Sequence, residues 1–400
     1  MRTFPRFAIL AGACSALALS RAHAQDPEDH GPLTSASWDA GTQSLAGASI
    51  RVRVYYPDSG GPYPLVGVIH GANANGTYHT ELATTLATRG FVAVVPDMPC
   101  TVIACDHDAN QRQISALLEW AVAESADSTS RLAGKVDGSR RGLIGHSWGG
   151  LSSHITAARD PSIDSVVLLD PNDDGIQGLS VTNTITAPHL TLLAQVPGAC
   201  NGAWQEAMVR TRLTGSHQDF VIRGSGHCDP GEMDVVCSFA CGAGDRGTVP
   251  LFRRYAVAWT ACVLAGDASM ATWIDGASYM ADVSGDVIRM PNPSGLAALP
   301  CQGGPPPDGG VGPMSDAGPP IGGDGGAPGS DAGVLMPGTD AGMPPAGLDA
   351  GPPGAFDAGD TGPSDGGCTC RAHRGGADAS WLGLLALLGI ALRLRTRRTT

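Results

Sequence analysis

The run Gly145-His146-Ser147-Trp148-Gly149 sets a serine between two glycines at the spacing of a nucleophile elbow. A serine on so tight a strand-to-helix turn takes strained backbone angles, so its neighbours two positions away must be almost free of side chain. The apolar run ending at residue 144 reads as a buried strand, and residues 151–159 read as a helix. A helix beginning there aims its dipole and free N–H groups at any anion formed beside Ser147. The chain holds 56 glycines, so a Gly-rich turn without chemistry is the competing reading. The strand before and the helix after favour the elbow. A hydroxyl is a weak nucleophile at neutral pH, so the chemistry needs a base in hydrogen-bond reach and a carboxylate to orient it.

Of the 11 histidines, His227 fits the base best. It stands in Gly224-Ser225-Gly226-His227, after an apolar run at residues 219–222, where the glycines let a loop bend back over a sheet. His217 precedes that run, His154 and His189 fall inside expected elements, and His146 points away from the hydroxyl beside it. Chains built on such an elbow run in the order serine, acid, base. Asp170 follows the apolar run 165–169 at the end of a strand, the edge where such sheets carry chemistry. Asp173, Asp174 and Glu206 remain alternatives for the acid, and a turn-capping role is the plain alternative for Asp170. An oxyanion needs two preset N–H donors. The backbone of Trp148 is one, and the backbone of Ala72 in His70-Gly71-Ala72-Asn73 is the other.

The elements that must hold these groups follow from hydropathy. Residues 49–56 alternate as in a half-buried strand. Runs 65–70 and 91–96 are continuously apolar, as in inner parallel strands. Helical patterns occupy residues 77–89, closed by Gly90, and 108–124. Further strands are expected at 165–169, 189–196 and 219–222, with helices at 249–264 and 270–283. Strand and helix in alternation give an α/β fold, a mostly parallel sheet with helices on both faces.

Composition divides the 400 residues unevenly. Residues 1–24 read as a secretory signal: Arg2 and Arg6, an apolar run, then Ala22-His23-Ala24. Residues 35–301 have globular composition. Residues 302–367 repeat Asp-Ala-Gly among prolines and glycines, a flexible linker that cannot bury enough apolar surface to order itself. Residues 368–400 hold Cys368-Thr369-Cys370, an apolar run and an arginine cluster. The run of twelve residues spans about 18 Å as a helix, short of a bilayer core of about 30 Å. A net charge of −13 argues against nucleic acid as a partner.

An exported chain meets an oxidising compartment. Its eight cysteines between residues 25 and 301 are then expected in disulfides: Cys100–Cys105, Cys200–Cys228, Cys237–Cys241 and Cys262–Cys301, with connectivity the loosest inference. The Cys237-x3-Cys241 and Cys100-x4-Cys105 spacings lack a second ligand pair, so no metal is expected. No cofactor is implied.

His70-Gly71-Ala72-Asn73, Gly145-His146-Ser147-Trp148-Gly149-Gly150, Leu169-Asp170-Pro171 and Gly226-His227-Cys228-Asp229 together resemble the chlorophyllase branch of the α/β-hydrolases. That branch is related to the platelet-activating-factor acetylhydrolases and to dienelactone-hydrolase-like and polyester-hydrolase-like enzymes. The resemblance covers residues 49–282. It implies an α/β-hydrolase fold and a serine hydrolase of carboxylic esters, with the acid after the same strand as Asp170. Polyester hydrolases carry their acid one strand later, and this chain departs from them there. They also tie active-site loops with a disulfide, as Cys200 with Cys228 would. The cysteine motif, short apolar run and arginine cluster resemble the MYXO-CTERM sorting signal. That implies processing by sorting machinery and retention at the cell surface, with a plain membrane anchor as the alternative. Trp148, with Trp204 and Met208, could line an apolar acyl or alcohol site, although ordinary packing explains such aromatics as well. The expected substrate is a small-molecule, lipid or polymer ester. A catalytically silent binding or adhesion module is the reading from another class.

Overall fold

The computed structural model describes residues 26–304 apart from 174, 199, 202–203, 205, 232–234, 243 and 290–294. The expected export signal, most of the expected linker, the Cys-Thr-Cys motif and the apolar run after it lie outside the described residues.

Nine strands form one sheet: β1 (Ser35–Leu45), β2 (Ala48–Pro57), β3 (Tyr63–Ile69), β4 (Val92–Pro96), β5 (Val136–His146), β6 (Ser165–Leu169), β7 (His189–Ala194), β8 (His217–Ile222) and β9 (Ile288–Arg289). Their order is β1-β2-β4-β3-β5-β6-β7-β8-β9. β3 to β8 run parallel, and β1, β2 and β9 are antiparallel to their neighbours. All loops that leave β3 to β8 at their C-terminal ends therefore share one edge. The inner strands β3, β4 and β6 are buried nearly throughout, as their unbroken apolar runs require.

The helices are α1 (Thr80–Thr88), α2 (His107–Ala126), α3 (Trp148–Arg159), α4 (Gln177–Val181), α5 (Glu206–Arg210), α6 (Val235–Cys241), α7 (Val249–Ala265), α8 (Ala271–Ile274) and α9 (Ala277–Ser284). On one face of the sheet, α1 and α7 bury Leu82, Leu86, Tyr255 and Trp259 against Val66, Val68, Val167 and Leu192. On the other, α2 and α3 bury Ile114, Leu117, Leu118 and Ile155 against Leu65, Leu143, Val166 and Leu168. The α/β-hydrolase expectation holds.

Three local differences stand out among the described residues. β1 falls in what reads as a polar lead, because an edge strand exposes one face and carries few apolar residues. It turns back into β2 through Ala46 and Gly47, both with positive φ, as a two-residue hairpin needs. The helical pattern at 77–89 begins with a 3-10 turn at Gly76–His79 before α1. The pattern at 270–283 is split into α8 and α9 at Asp275 and Gly276, where the chain turns extended. A side chain at Gly276 would meet Thr272 Cα at 2.7 Å.

Trp259 on α7 has no solvent exposure and is the largest fully buried side chain described. Trp259→Ala leaves a void that a sheet-packed helix cannot close, so unfolding in urea should show a loss of about 3–5 kcal/mol. A loss under about 1 kcal/mol would mean that α7 repacks freely.

Candidate active site

β5 runs straight into α3, and Ser147 sits at the junction with φ 53° and ψ −125°. No ordinary side chain settles there without support, so the surroundings impose the strain. The elbow glycines make it possible. A Cβ on Gly145 would lie 2.5 Å from Gly149 O, and one on Gly149 would lie 2.3 Å from His70 O. Ser147 N–H donates to Leu169 O at 3.1 Å, which fastens the elbow to the end of β6.

The structure brings the three expected residues together. His227 Nδ1 lies 2.6 Å from Asp170 Oδ2, and His227 Nε2 lies 2.9 Å from Ser147 Oγ. A carboxylate only accepts, so Nδ1 carries the proton and Nε2 is free to accept from the serine. All three are buried, which strengthens these contacts by excluding water. Asp170 has φ 41°, and its other oxygen, Oδ1, accepts the Ala194 N–H at 2.8 Å. That second bond fixes which oxygen faces His227.

The other acid candidates lie apart from this chain of bonds. Asp173 accepts from the N–H groups of Gln177, Gly178 and Leu179 and so caps α4. Glu206 accepts from Trp204 Nε1 at 2.5 Å; burial and then the charge of Asp219 push its pKa up to about 8. Asp174 lies outside the described residues. After β7, where polyester hydrolases carry their acid, Gln195 and Val196 donate their N–H groups to Ser225 O. They brace the loop that carries His227 instead.

Trp148 is the first residue of α3, so its N–H has no intrahelical acceptor. Gly71 approaches so closely that a Cβ there would lie 3.0 Å from Ser147 Cβ. No acceptor among the described residues takes the Ala72 N–H beside it. Both expected oxyanion donors thus stand in segments that border the serine.

Three further residues shape the site. His146 Nε2 donates to His227 O at 2.7 Å, so the residue beside the nucleophile holds the backbone of the base. Burial, then the neighbouring His227 and His79, hold His146 well below the usual imidazole range and so neutral. Its part was invisible in the sequence because the partner is a backbone atom 81 residues away. Asp229 Oδ2 accepts from Gly226 N–H and Thr248 Oγ1, which fixes the turn around His227. His70 Nδ1 donates to Gly71 O, and its Nε2 accepts the Met98 N–H, which joins the β3 and β4 loops.

Two expected disulfides are present, Cys100–Cys105 and Cys262–Cys301. The other two differ: Cys200 bonds Cys241, and Cys228 bonds Cys237. Cys237 and Cys241 lie one turn apart on α6, where Cβ atoms stand about 5–6 Å apart, wider than the span of about 3.5–4.5 Å that a disulfide needs, so each bonds a loop cysteine instead. One bridge ties α6 to the loop after β7, and the other ties it to the loop of His227. Gly198 permits the first, since a Cβ there would lie 1.8 Å from Cys241 O. Cys200–His227–Cys241 and Cys228–Cys237–Cys241 are close enough to group around an ion, but every sulfur in them is bridged and offers no thiolate. Trp204 is buried, with its ring edge-on to His154 at 5.2 Å. Trp148 is half-buried, with its ring edge-on to His107 at 5.8 Å. The Met208 side chain lies outside the described residues.

The family model described as PET hydrolase-like matches residues 28–230, more than half of the chain, a span within which Ser147, Asp170 and His227 fall. Cutinase est1 of Thermobifida alba is 24% identical over 177 residues, 44% of this chain and 49% of that protein. Bis(hydroxyethyl) terephthalate hydrolase of Streptomyces coelicolor is 29% identical over 162 residues, 37% and 50% of the two chains. Chlorophyllase-1 of Arabidopsis thaliana is 25% identical over 146 residues, 35% and 43%. The chain spans about half the length of the curated relatives it matches. An elbow serine, a parallel sheet in this strand order and a family match across both place the chain in the PET hydrolase-like family of α/β-hydrolases.

Proposed function

We propose that the protein is an exported serine hydrolase of carboxylic esters. The observation that carries this reading is the unbroken set of contacts from Asp170 through His227 to Ser147 Oγ at the C-terminal edge of the sheet. Ser147 Oγ attacks the ester carbonyl carbon while His227 Nε2 takes its proton. Asp170 holds the resulting imidazolium, and the N–H groups of Trp148 and Ala72 receive the oxyanion. The intermediate collapses to an acyl-enzyme as His227 protonates the leaving alcohol, and water then repeats the steps to release the acid. Relatives named as cutinases and as a hydrolase of bis(hydroxyethyl) terephthalate, a diester, support an ester as substrate.

The domain plan belongs to the same reading: a signal over residues 1–24, a hydrolase domain over 35–301, a linker over 302–367 and a sorting signal of MYXO-CTERM type over 368–400. The four disulfides support an oxidising destination. Sorting and retention at the cell surface are what the resemblance of the C-terminal motif order to that signal implies. Among the described residues, no helix is long and apolar enough to cross a membrane.

The test is active-site labelling. A fluorophosphonate should modify the folded protein once, on Ser147, and abolish its turnover of p-nitrophenyl esters ranging from acetate to laurate. A folded protein that neither labels nor turns over any of these esters is a binding module, and the enzyme reading is then lost.

A further inference from the structure

Four sulfurs meet beside the base. Cys228, Cys237 and Cys241 set their sulfurs within 4.8 Å of one another, and Cys200 and Cys241 do the same with a ring nitrogen of His227. Cys241 belongs to both groups, so the two bridges form one cluster rather than two separate staples. Cys228 and Cys241 are buried. The other two bridges, Cys100–Cys105 and Cys262–Cys301, join no such group among the described residues.

The cluster has the composition of a thiolate metal site. Structural zinc takes cysteine thiolates at about 2.3 Å, often in pairs with two to four residues between them. At tetrahedral angles that bond length sets the sulfurs about 3.8 Å from one another. Cys237-x3-Cys241 is one pair of that spacing. The fold supplies the second pair that the sequence lacks: Cys200 from the loop after β7 and Cys228 from the loop after β8. One helical turn is too wide for a direct bond between Cys237 and Cys241, yet it suits two ligands of one ion.

We infer that in the reduced chain Cys200, Cys228, Cys237 and Cys241 bind one thiophilic divalent ion of the zinc class beside His227, and that closing the two disulfides expels it. Binding releases the thiol protons. Two molecules of a disulfide oxidant then each take an electron pair from two thiolates and leave as dithiols, with protons from solvent. The two bridges form, and the ion returns to solution. An exported chain makes this passage, from reducing synthesis to an oxidising destination. The ion stands within reach of a His227 nitrogen, and both ring nitrogens are committed, Nδ1 to Asp170 and Nε2 to Ser147. Drawing either one onto the metal breaks the bonded set, so the loaded protein is inactive and oxidation activates it. The site stands on the sulfurs alone, and its effect on turnover rests on the ester-hydrolase reading.

The experiment reduces the full chain with a phosphine, removes the phosphine without air and titrates with Co²⁺. One equivalent should give the visible band of a tetrahedral thiolate site, and Zn²⁺ should bleach it. The band should survive in Cys368→Ser/Cys370→Ser and be lost in Cys241→Ser, both compared with wild type in the same reduced state, where no bridge distinguishes their folds. A small disulfide oxidant added to the zinc-loaded wild type should release the ion, read with a chromogenic chelator. Over the same time course turnover of p-nitrophenyl butyrate should rise about tenfold or more. No band in wild type, or an equal band in Cys241→Ser, would overturn the site. Full turnover in the zinc-loaded protein would overturn its hold on the base. A wild type inactive in every state would strike the ester reading instead, and the cobalt band would still report on the sulfurs.

Discussion

Ser147→Ala should lower kcat on p-nitrophenyl esters by about 10⁶-fold, and Asp170→Asn by about 10⁴-fold, with KM little changed in either. The serine loss is total for the covalent route, so adding His227→Ala to it should cost almost nothing more. The aspartate case follows from the two bonds on its carboxylate. Ala194 N–H occupies Oδ1, and His227 Nδ1 faces Oδ2. With an amide in that place, Ala194 keeps the oxygen and turns the NH₂ group onto Nδ1. His227 must then accept there, carry its proton on Nε2, and lose the lone pair that Ser147 needs. Steady-state kinetics with circular dichroism as a fold control measures this. Asp173→Asn serves as the comparison, since its carboxylate caps α4 and its loss should cost about 1 kcal/mol of stability and little rate. Full activity in Asp170→Asn beside a dead Asp173→Asn would move the acid and end this assignment.

The bonded set was legible in the sequence because each member sits at the end of an element with a strong signal. Ser147 follows an apolar strand and lies between two obligatory glycines, Asp170 follows the run 165–169, and His227 follows β8 in a Gly-rich turn. A mostly parallel sheet with helices on both faces then follows from the alternation of strands and helices. The supports were not legible. His146 acts on a backbone carbonyl, and Ala194 acts through its own N–H, so neither choice leaves a mark in residue type. Disulfide pairing failed where two cysteines share one short helix. Spacing along the chain suggested a bond between them, while one helical turn holds their Cβ atoms too far apart to close it, and each pairs with a loop cysteine. β1 escaped for a related reason: an edge strand needs little apolar pattern, and a bulge between Asp39 and Gly41 breaks what alternation it has.

Acid should unfold this protein steeply between about pH 4.5 and pH 3, as buried histidines take up protons on unfolding. Burial pushes His79 and His154 down to about 3, and burial with neighbouring imidazoles holds His146 and His189 well below the ordinary value. His70 is lowered as well, mainly by burial. In the unfolded chain each titrates near pH 6.5, so the unfolded state binds more protons below that pH and stability falls with it. His79 and His154 alone contribute a slope of about 2.7 kcal/mol per pH unit. Two carboxyls act in the opposite sense. Burial raises Asp164 to about 6, and burial with Asp219 raises Glu206 to about 8. Their contribution is complete below the ordinary carboxyl range and is lost as pH rises through those values. They therefore offset the histidines above about pH 4.5, and below it nothing does. Urea unfolding at half-unit intervals from pH 3 to pH 9 should show a broad maximum with a sharp acid limb. His154→Gln should flatten that limb by about 1.4 kcal/mol per pH unit, and Glu206→Gln should gain stability at pH 9 relative to pH 4. An acid limb unchanged by His154→Gln would mean that carboxylates, not buried imidazoles, set the lower limit of the fold.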